Sequence, residues 1–251
     1  MEVNKNQGGN FIEVNENPQK NELNLHYLTK KVMVSFKKSR NIPIKEFSLS
    51  GSIVSLKNND TIDFESSLER DFISLLEFED KVVKYCHQPI KIYYCNDKKY
   101  YVPDFYIEYE NGRKEIVEIK YSNDLLINHD KFKYKFEAAR EFCKANNIKF
   151  LILTEIDIRS SYLENVKFLL RYSFNYHSGG VISFLSNKDL EEIKKTVKNT
   201  QECTPNILLD KLCNNIERKA ETLYLLWYLV LAKEIKADLN IKLNMNSKIW
   251  I

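Results

Sequence analysis

The chain has 251 residues, of which 43% are hydrophobic and 12% aromatic, so it can bury a substantial core and is not a disordered chain. The net charge is only +3, so the total charge alone does not indicate nucleic-acid binding, and the longest apolar run, LYLLWYLVLA, is too short to span a bilayer. The five cysteines lack metal-ligand spacing, and the N-terminus lacks an apolar signal core. We therefore expect a soluble cytoplasmic protein with reduced thiols.

The N-terminal part of the chain is polar and then basic. Residues 1–26 are predicted to form a loose arm. The next segment, LTKKVMVSFKKSRNIPIKEF, contains several cations that could neutralise DNA phosphates. These candidate DNA-binding residues are Lys30, Lys31, Lys37, Lys38 and Arg40. An ordinary solvated surface explains such a run equally well.

A helix is predicted from Ser66 or Ser67, as its cap, to about Glu79. Its apolar positions recur at helical spacing: Leu68, Phe72, Leu75 and Leu76. Glu69 borders this apolar face rather than pointing plainly to water. It is either a functional acid or a boundary residue paired with Arg70 or Lys81.

Two strands joined by a turn are predicted over residues 100–121, with the sequence ENG as the turn signal. Asp104, Glu118 and Lys120 interrupt this apolar pattern. Because side chains alternate along a strand, Glu118 and Lys120 share one face of the second strand. Three charged side chains thus lie where a strand pair should be apolar.

Two carboxylates at adjacent strand ends repel each other, and a divalent cation relieves that repulsion. Oxygen ligands with open positions suit Mg²⁺ or Mn²⁺. A lysine beside them can contact a phosphate oxygen or an attacking water. The alternative is a solvated cross-strand ion pair, since Glu-x-Lys is a common tripeptide on exposed strands.

Together the segments ESSLERDFISLLEFEDKVVKYCHQPIKIYY and YVPDFYIEYENGRKEIVEIKYSND resemble the TnsA-type endonuclease subunit of heteromeric transposases, within the PD-(D/E)xK nuclease superfamily. The resemblance is most specific over residues 64–125. It implies that Asp104, in Pro-Asp-Phe, and Glu118 bind metal, and that Lys120 is the catalytic lysine. It places the family's helix acid on Glu69, with Glu65 as a competing candidate. Some members carry Gln at the position of Glu118.

The resemblance further implies a Mg²⁺-dependent DNA endonuclease in which Mn²⁺ can substitute, located in a bacterial cytoplasm. Its metal ligands would be Asp104, Glu118, the backbone carbonyl of Ile119, and Glu69. It would cleave the 5′ strands at transposon ends together with an RNase H-like transposase subunit and an AAA+ ATPase. Two alternatives stay open: a stand-alone restriction-type or phage recombination nuclease, and a non-catalytic adaptor in a transposition complex.

After the strand pair, the sequence predicts a helix over residues 130–146 and a strand over 149–154. In the helix, Phe132, Phe136, Ala139 and Phe142 or Cys143 recur at helical spacing, which predicts a core stripe. A strand–helix–strand crossover makes this strand parallel to the one that carries Glu118. We therefore expect a restriction-endonuclease-like α/β domain over residues 27–165, with a mixed sheet flanked by helices.

Residues 166–251 differ in character. Helices are predicted from Asn187, from Thr204-Pro205 and over 217–233, followed by a β-hairpin near the C-terminus. Three helices and a hairpin describe a smaller, winged-helix-like α+β domain. Such domains bind DNA or protein. The third helix has few basic residues for a DNA groove, so we expect partner binding, in line with the ATPase contact that the resemblance implies.

Overall fold

The computed structural model describes residues 10–12, 32–34, 49–95, 98–173 and 187–251. The chain divides into two compact units, Met1–Ile158 and Arg159–Ile251. The predicted boundary, between residues 165 and 166, lies seven residues later and falls within a helix of the second unit. Most of the predicted polar arm lies outside the described residues.

The first unit contains ten strands and four helices among its described residues. Its strands are β1 (Asn10–Ile12), β2 (Val32–Val34), β3 (Gly51–Ser55), β4 (Asp60–Phe64), β5 (Val82–His87), β6 (Ile92–Tyr94), β7 (Lys99–Tyr101), β8 (Phe105–Tyr109), β9 (Lys114–Ile119) and β10 (Lys149–Leu153). Its helices are α1 (Ser67–Phe78), α2 (Ser122–Ile127), α3 (His129–Ala145) and α4 (Glu155–Ile158).

Four of these strands form the central sheet, in the order β10-β9-β8-β5. Strand β10 runs parallel to β9, and the other two pairings are antiparallel, which confirms the predicted mixed sheet. The turn between β8 and β9 contains Gly112 at φ 78°, a conformation that glycine adopts without steric cost. The remaining strands pair two by two, as β1–β2, β3–β4 and β6–β7.

One strand prediction is wrong. Residues 100–109 were expected to form a single strand, but β7 ends at Tyr101 and β8 begins at Phe105. The two strands lie in different sheets. Pro103 stands between them, and proline has no backbone N–H with which to continue a ladder.

Helices cover both faces of the central sheet. On one face, α1 packs its Phe72 ring edge-on against Phe105 of β8, with 5.3 Å between ring centroids. On the other face, α3 contributes Phe136, Ala139 and Phe142 to a buried cluster with the central strands. These helical positions were predicted as a core stripe, and the structure confirms them.

The second unit consists of helices followed by a short strand pair. Its elements are α5 (Ser161–Leu169), a 3₁₀ turn (Leu170–Tyr172), α6 (Asn187–Asn199), α7 (Pro205–Leu212), α8 (Ile216–Leu231), β11 (Lys236–Ala237) and β12 (Ile249–Trp250). The last two strands are antiparallel. Helix α8 contributes six buried residues, more than any other helix of this unit. No helix in the described ranges is both long and apolar enough to cross a bilayer.

A single asparagine fixes the segment between β11 and β12. The Asn165 side chain, on α5, is buried. Its Nδ2 donates to the carbonyls of Leu239 and Ile241, both at 2.8 Å, and its Oδ1 accepts from the N–H of Leu243 at 2.9 Å. Helix α5 is therefore an integral part of the second unit.

Candidate active site

The ends of two neighbouring strands bring the candidate site residues together. Strands β8 and β9 are antiparallel, with Phe105 opposite Val117, so the start of β8 lies beside the end of β9. Asp104 directly precedes β8, and Lys120 directly follows β9. The backbone N–H of Ile119 donates a hydrogen bond of 2.7 Å to Oδ2 of Asp104, which fixes this carboxylate against β9.

The Lys120 ammonium contacts an oxygen of three groups at once. Its Nζ lies 3.2 Å from Asp104 Oδ2, 3.0 Å from Glu118 Oε1 and 2.8 Å from the Ile119 carbonyl oxygen. Burial by itself would lower the pKa of Lys120, but the two carboxylates outweigh it and hold that pKa above its ordinary value. Lys120 is therefore a bound cation in this arrangement, with no free electron pair to accept a proton.

The carboxyl group of Asp104 is pushed toward its neutral form. Burial, and then the negative charge of Glu118, raise the pKa of Asp104 to about 7, and Glu69 adds to the rise. Lys120 and the Ile119 N–H act in the opposite direction. Crowded carboxylates of this kind are typical of functional sites, where a ligand supplies the missing positive charge.

Glu118 is almost fully buried and uses both of its oxygens. The Tyr101 hydroxyl donates to Oε2 at 2.5 Å, while Lys135 Nζ lies 3.1 Å from Oε1. Tyr101 and Lys135 were not among the site residues predicted from the sequence. A signal existed for Lys135, which falls on the apolar stripe of α3, three residues after Phe132.

Glu69 lies at the start of α1, where its carboxylate has other partners. Ser66 is the N-cap, and its Oγ accepts from the N–H of Glu69 while Glu69 Oε1 accepts from Ser66 Oγ at 2.9 Å. Glu69 Oε2 accepts from the N–H of Glu65 at 2.8 Å and lies 3.1 Å from Nε2 of His87. This is a variant of the capping box, with a buried histidine as an additional partner.

These contacts determine the charge of Glu69. Burial by itself raises the pKa of this carboxyl, but the His87 hydrogen bond and the backbone N–H of Glu65 outweigh it and lower the pKa. Neither partner suggested by the sequence, Arg70 or Lys81, pairs with Glu69 in an ion pair of the described residues. The competing acid, Glu65, accepts a hydrogen bond of 2.8 Å from Gln88.

Family models match both units of the chain. The description "TnsA-like endonuclease N terminal" matches residues 79–155, and "TnsA endonuclease C terminal" matches residues 157–239. The chain belongs to the TnsA-like endonucleases. No curated protein matched the sequence.

Membership in the TnsA-like endonucleases makes the protein a nuclease that serves as a transposase subunit, acting with DNA and other transposase subunits. The N-terminal match contains Asp104, Glu118 and Lys120, whereas Glu69 precedes it. Nucleases of this kind use a divalent metal in general.

The oxygens around Lys120 suit such a metal. Two carboxylates and a backbone carbonyl are hard ligands, and Lys120 shows that one cation can contact all three. Among the described residues, no three His, Cys, Asp or Glu side chains are grouped as a metal site. The predicted DNA-binding residues Lys30, Lys31, Lys37, Lys38 and Arg40 lie outside the described residues.

Proposed function

We propose that this TnsA-like endonuclease is Mg²⁺-dependent and cleaves the 5′ strands at transposon ends, with Mn²⁺ able to replace Mg²⁺. The observation that supports the proposal is the placement of one cation, the Lys120 ammonium, against Asp104, Glu118 and the Ile119 carbonyl. A site that already holds a cation between two crowded carboxylates is suited to a hard divalent ion.

In this proposal, Asp104 and Glu118 hold the metal with the Ile119 carbonyl. When bound, the metal would activate the attacking water as a Lewis acid and would neutralise charge on the phosphate. The Ile119 N–H keeps the Asp104 carboxylate oriented, and Tyr101 does the same for Glu118.

Lys120 and the metal compete for the same oxygens. Lys120 would therefore have to leave these oxygens for the same residues to hold a metal. Once released from the carboxylates that raise its pKa, the side chain can act in one of two states. As an ammonium it can stabilise the developing phosphate charge, and as a neutral amine it can accept a proton from the water. Glu69 is proposed to complete the metal's shell or to orient a water, provided that its contact with His87 opens.

The second unit is proposed to be a winged-helix-like domain that docks onto an AAA+ ATPase. Helices α6, α7 and α8, followed by the antiparallel pair β11–β12, support this comparison. The basic residues of α8 are Arg218 and Lys219, and they pair with Asp189 and Asp210. Since these cations are already engaged, α8 is poorly suited to reading DNA, and protein docking is the better use.

Exposed apolar residues of the same unit fit protein docking. Trp250 and Ile251 end the chain and remain 40% and 47% exposed, and Ile207 on α7 is 39% exposed. Apolar side chains of this kind are common at protein interfaces, whereas a DNA surface is rich in unpaired cations.

The test is an excision reaction with the matching transposase and ATPase, in which nicks are mapped on each strand of a transposon end. Wild type should give breaks on both strands. Asp104→Asn should leave only the nicks made by the transposase subunit, on the strands with 3′ element termini. Asp124→Asn, an exposed aspartate on α2, serves as the matched control and should behave as wild type. Cleavage of both strands by Asp104→Asn would overturn the proposal, and so would efficient cleavage of naked DNA by this chain alone.

A further inference from the structure

Two ammonium groups converge on one oxygen of Glu118. Lys120 Nζ lies 3.0 Å from Oε1, and Lys135 Nζ lies 3.1 Å from the same atom. The other oxygen of Glu118 accepts from the Tyr101 hydroxyl. Lys120 and the carboxylates have roles in the proposed catalysis, whereas Lys135 has none.

The two lysines are held differently. Lys120 lies between both carboxylates and also contacts the Ile119 carbonyl, so it occupies the position in which a metal would bind. Lys135 approaches Glu118 from α3. Its Nζ lies 4.5 to 4.9 Å from the ring centroids of Phe132, Tyr101 and Phe136, where cation–π attraction adds to the ion pair.

In this arrangement, two ammonium groups offset part of the negative charge of the carboxylates before any metal binds. Two carboxylates, Asp104 and Glu118, face two ammonium groups, Lys120 and Lys135. A divalent ion at the shared oxygens must displace Lys120, because Lys120 contacts all of them. Lys135 lies on a separate helix and packs against three aromatic rings, so we expect it to remain beside Glu118 as a positive charge.

We propose that Lys135 is a built-in counter-cation that keeps the affinity of the free protein for divalent metal low until a DNA phosphate contributes negative charge. The inference rests on the proposed metal-dependent function and adds a regulatory role to the same site. Lys135 repels the incoming metal, and the phosphate of bound DNA offsets that repulsion. Metal binding and DNA binding thereby reinforce each other, and linkage makes this effect reciprocal.

The test measures Mn²⁺ binding to the full-length protein by the electron paramagnetic resonance signal of free Mn²⁺. Asp104→Asn lacks a proposed metal ligand, so the Mn²⁺ that it binds measures binding at other sites and is subtracted. Lys135→Met, which keeps an unbranched chain among the rings, should bind Mn²⁺ at least ~10-fold more tightly than wild type, because a unit charge next to a divalent ion is removed. The matched control is Lys133→Met, an exposed lysine on the same helix, which should leave the Kd unchanged.

Further variants separate charge from shape. Lys135→Gln keeps an N–H donor without the charge and should also tighten Mn²⁺ binding, whereas Lys135→Arg keeps the charge and should stay at the wild-type Kd. If Lys135→Met fails to fold, Lys135→Gln still shows the effect of removing the charge. The Mn²⁺ titration is then repeated with a transposon-end duplex, and Asp104→Asn with the same duplex is the blank. The duplex should tighten Mn²⁺ binding more in wild type than in Lys135→Gln.

Three results would overturn the inference. Equal Kd values for wild type, Lys135→Met and Lys135→Gln would show that Lys135 does not act on the metal. Weaker binding in both variants would make Lys135 a group that merely positions Glu118. If wild type and all variants matched the Asp104→Asn blank, even with DNA, the metal site itself would fail, and the proposed function with it.

Discussion

The backbone N–H of Ile119 and the ammonium of Lys120 both donate to the same oxygen of Asp104, Oδ2, at 2.7 and 3.2 Å. The first bond belongs to the main chain and holds Asp104 in place without any side chain of β9. Removing the Lys120 side chain should therefore leave Asp104 where it is. A substitution of Lys120 therefore tests its role in strand cleavage without moving the Asp104 carboxylate.

Lys120→Met should slow strand cleavage by at least ~100-fold, the order expected for loss of one general acid–base or charge-stabilising group. It should still bind Mn²⁺, at least as tightly as wild type, because the competing ammonium is gone. Lys120→Arg should not restore activity, since a planar guanidinium does not replace a compact ammonium. Nicking rates and Mn²⁺ titrations test this, with the exposed Lys144→Met as control. Wild-type cleavage by Lys120→Met would refute the role assigned to this lysine.

Asp104 should make the metal-free protein less stable as the pH rises. Its folded-state pKa is about 7, against roughly 3.9 for an unperturbed aspartate. A carboxyl with a raised pKa stabilises the fold fully below about pH 4, and this contribution is lost as the pH rises through 7.

Asp104→Asn removes this titration while keeping an acceptor for the Ile119 N–H. In EDTA, its Tm relative to wild type should increase by a few degrees between pH 5 and pH 8. Thermal unfolding followed by circular dichroism measures the difference, and Asp124→Asn should show none. A Tm difference that stays constant across this range would contradict the assigned pKa.

Asn165→Ala should destabilise the second unit by about 3 kcal/mol, because two carbonyls and one N–H lose their buried partner. Both tryptophans, Trp227 and Trp250, lie in this unit, so their fluorescence during urea denaturation reports on it. The exposed Asn199→Ala should change stability by less than ~0.5 kcal/mol. For the same reason, a partner-binding fragment should begin at residue 159 rather than 166. An unchanged urea midpoint in Asn165→Ala would show that this anchor is dispensable.

Cys95 should be the fast-reacting thiol of the reduced, native protein. It is exposed, while the other four cysteines are buried. Burial also raises the pKa of Cys86 and of Cys143 to about 12, which suppresses their thiolate forms. Titration with a chromogenic disulfide at pH 8 should give a rapid phase of about one thiol per chain, and Cys95→Ser should abolish it. A rapid phase that survives in Cys95→Ser would mean that the core is more accessible than the structure shows.

The placement of Asp104, Glu118 and Lys120 together, where β8 begins and β9 ends, could be predicted from the sequence. A short turn joins β8 to β9, so alternation along each strand is enough to bring these side chains together. The parallel strand β10 and the core stripe of α3 followed from periodicity in the same way. When residues are close in the sequence, on one hairpin or one helix, their spacing indicates which side chains share a face.

The partners of Glu118 could not be predicted from the same pattern. Tyr101 was assigned to one continuous strand with Phe105, but the chain changes sheets between them, and alternation does not carry across such a break. Lys135 reaches Glu118 only because α3 packs on the sheet, a tertiary contact across 17 residues. Its position on an apolar stripe was the available signal, and a lysine there indicates a buried acidic partner.

Glu69 shows that one sequence signal can support two interpretations. The spacing from Ser66 to Glu69 is that of a capping box, and the structure contains these capping contacts. The same residue is the helix acid implied by the family resemblance. Its contact with His87 could not be foreseen, because His87 comes from the end of β5, 18 residues away.

The most direct test of the central claim is Mn²⁺-dependent nicking of a transposon end, in the presence of the transposase subunit, by wild type, Asp104→Asn, Glu118→Gln and Asp124→Asn. All four should show the same circular dichroism spectrum. Wild type and Asp124→Asn should release the 5′ strand, while Asp104→Asn and Glu118→Gln should fall to the background seen without this protein. Release of the 5′ strand by folded Asp104→Asn or Glu118→Gln at the wild-type rate would contradict the assignment of these carboxylates as the metal-binding site.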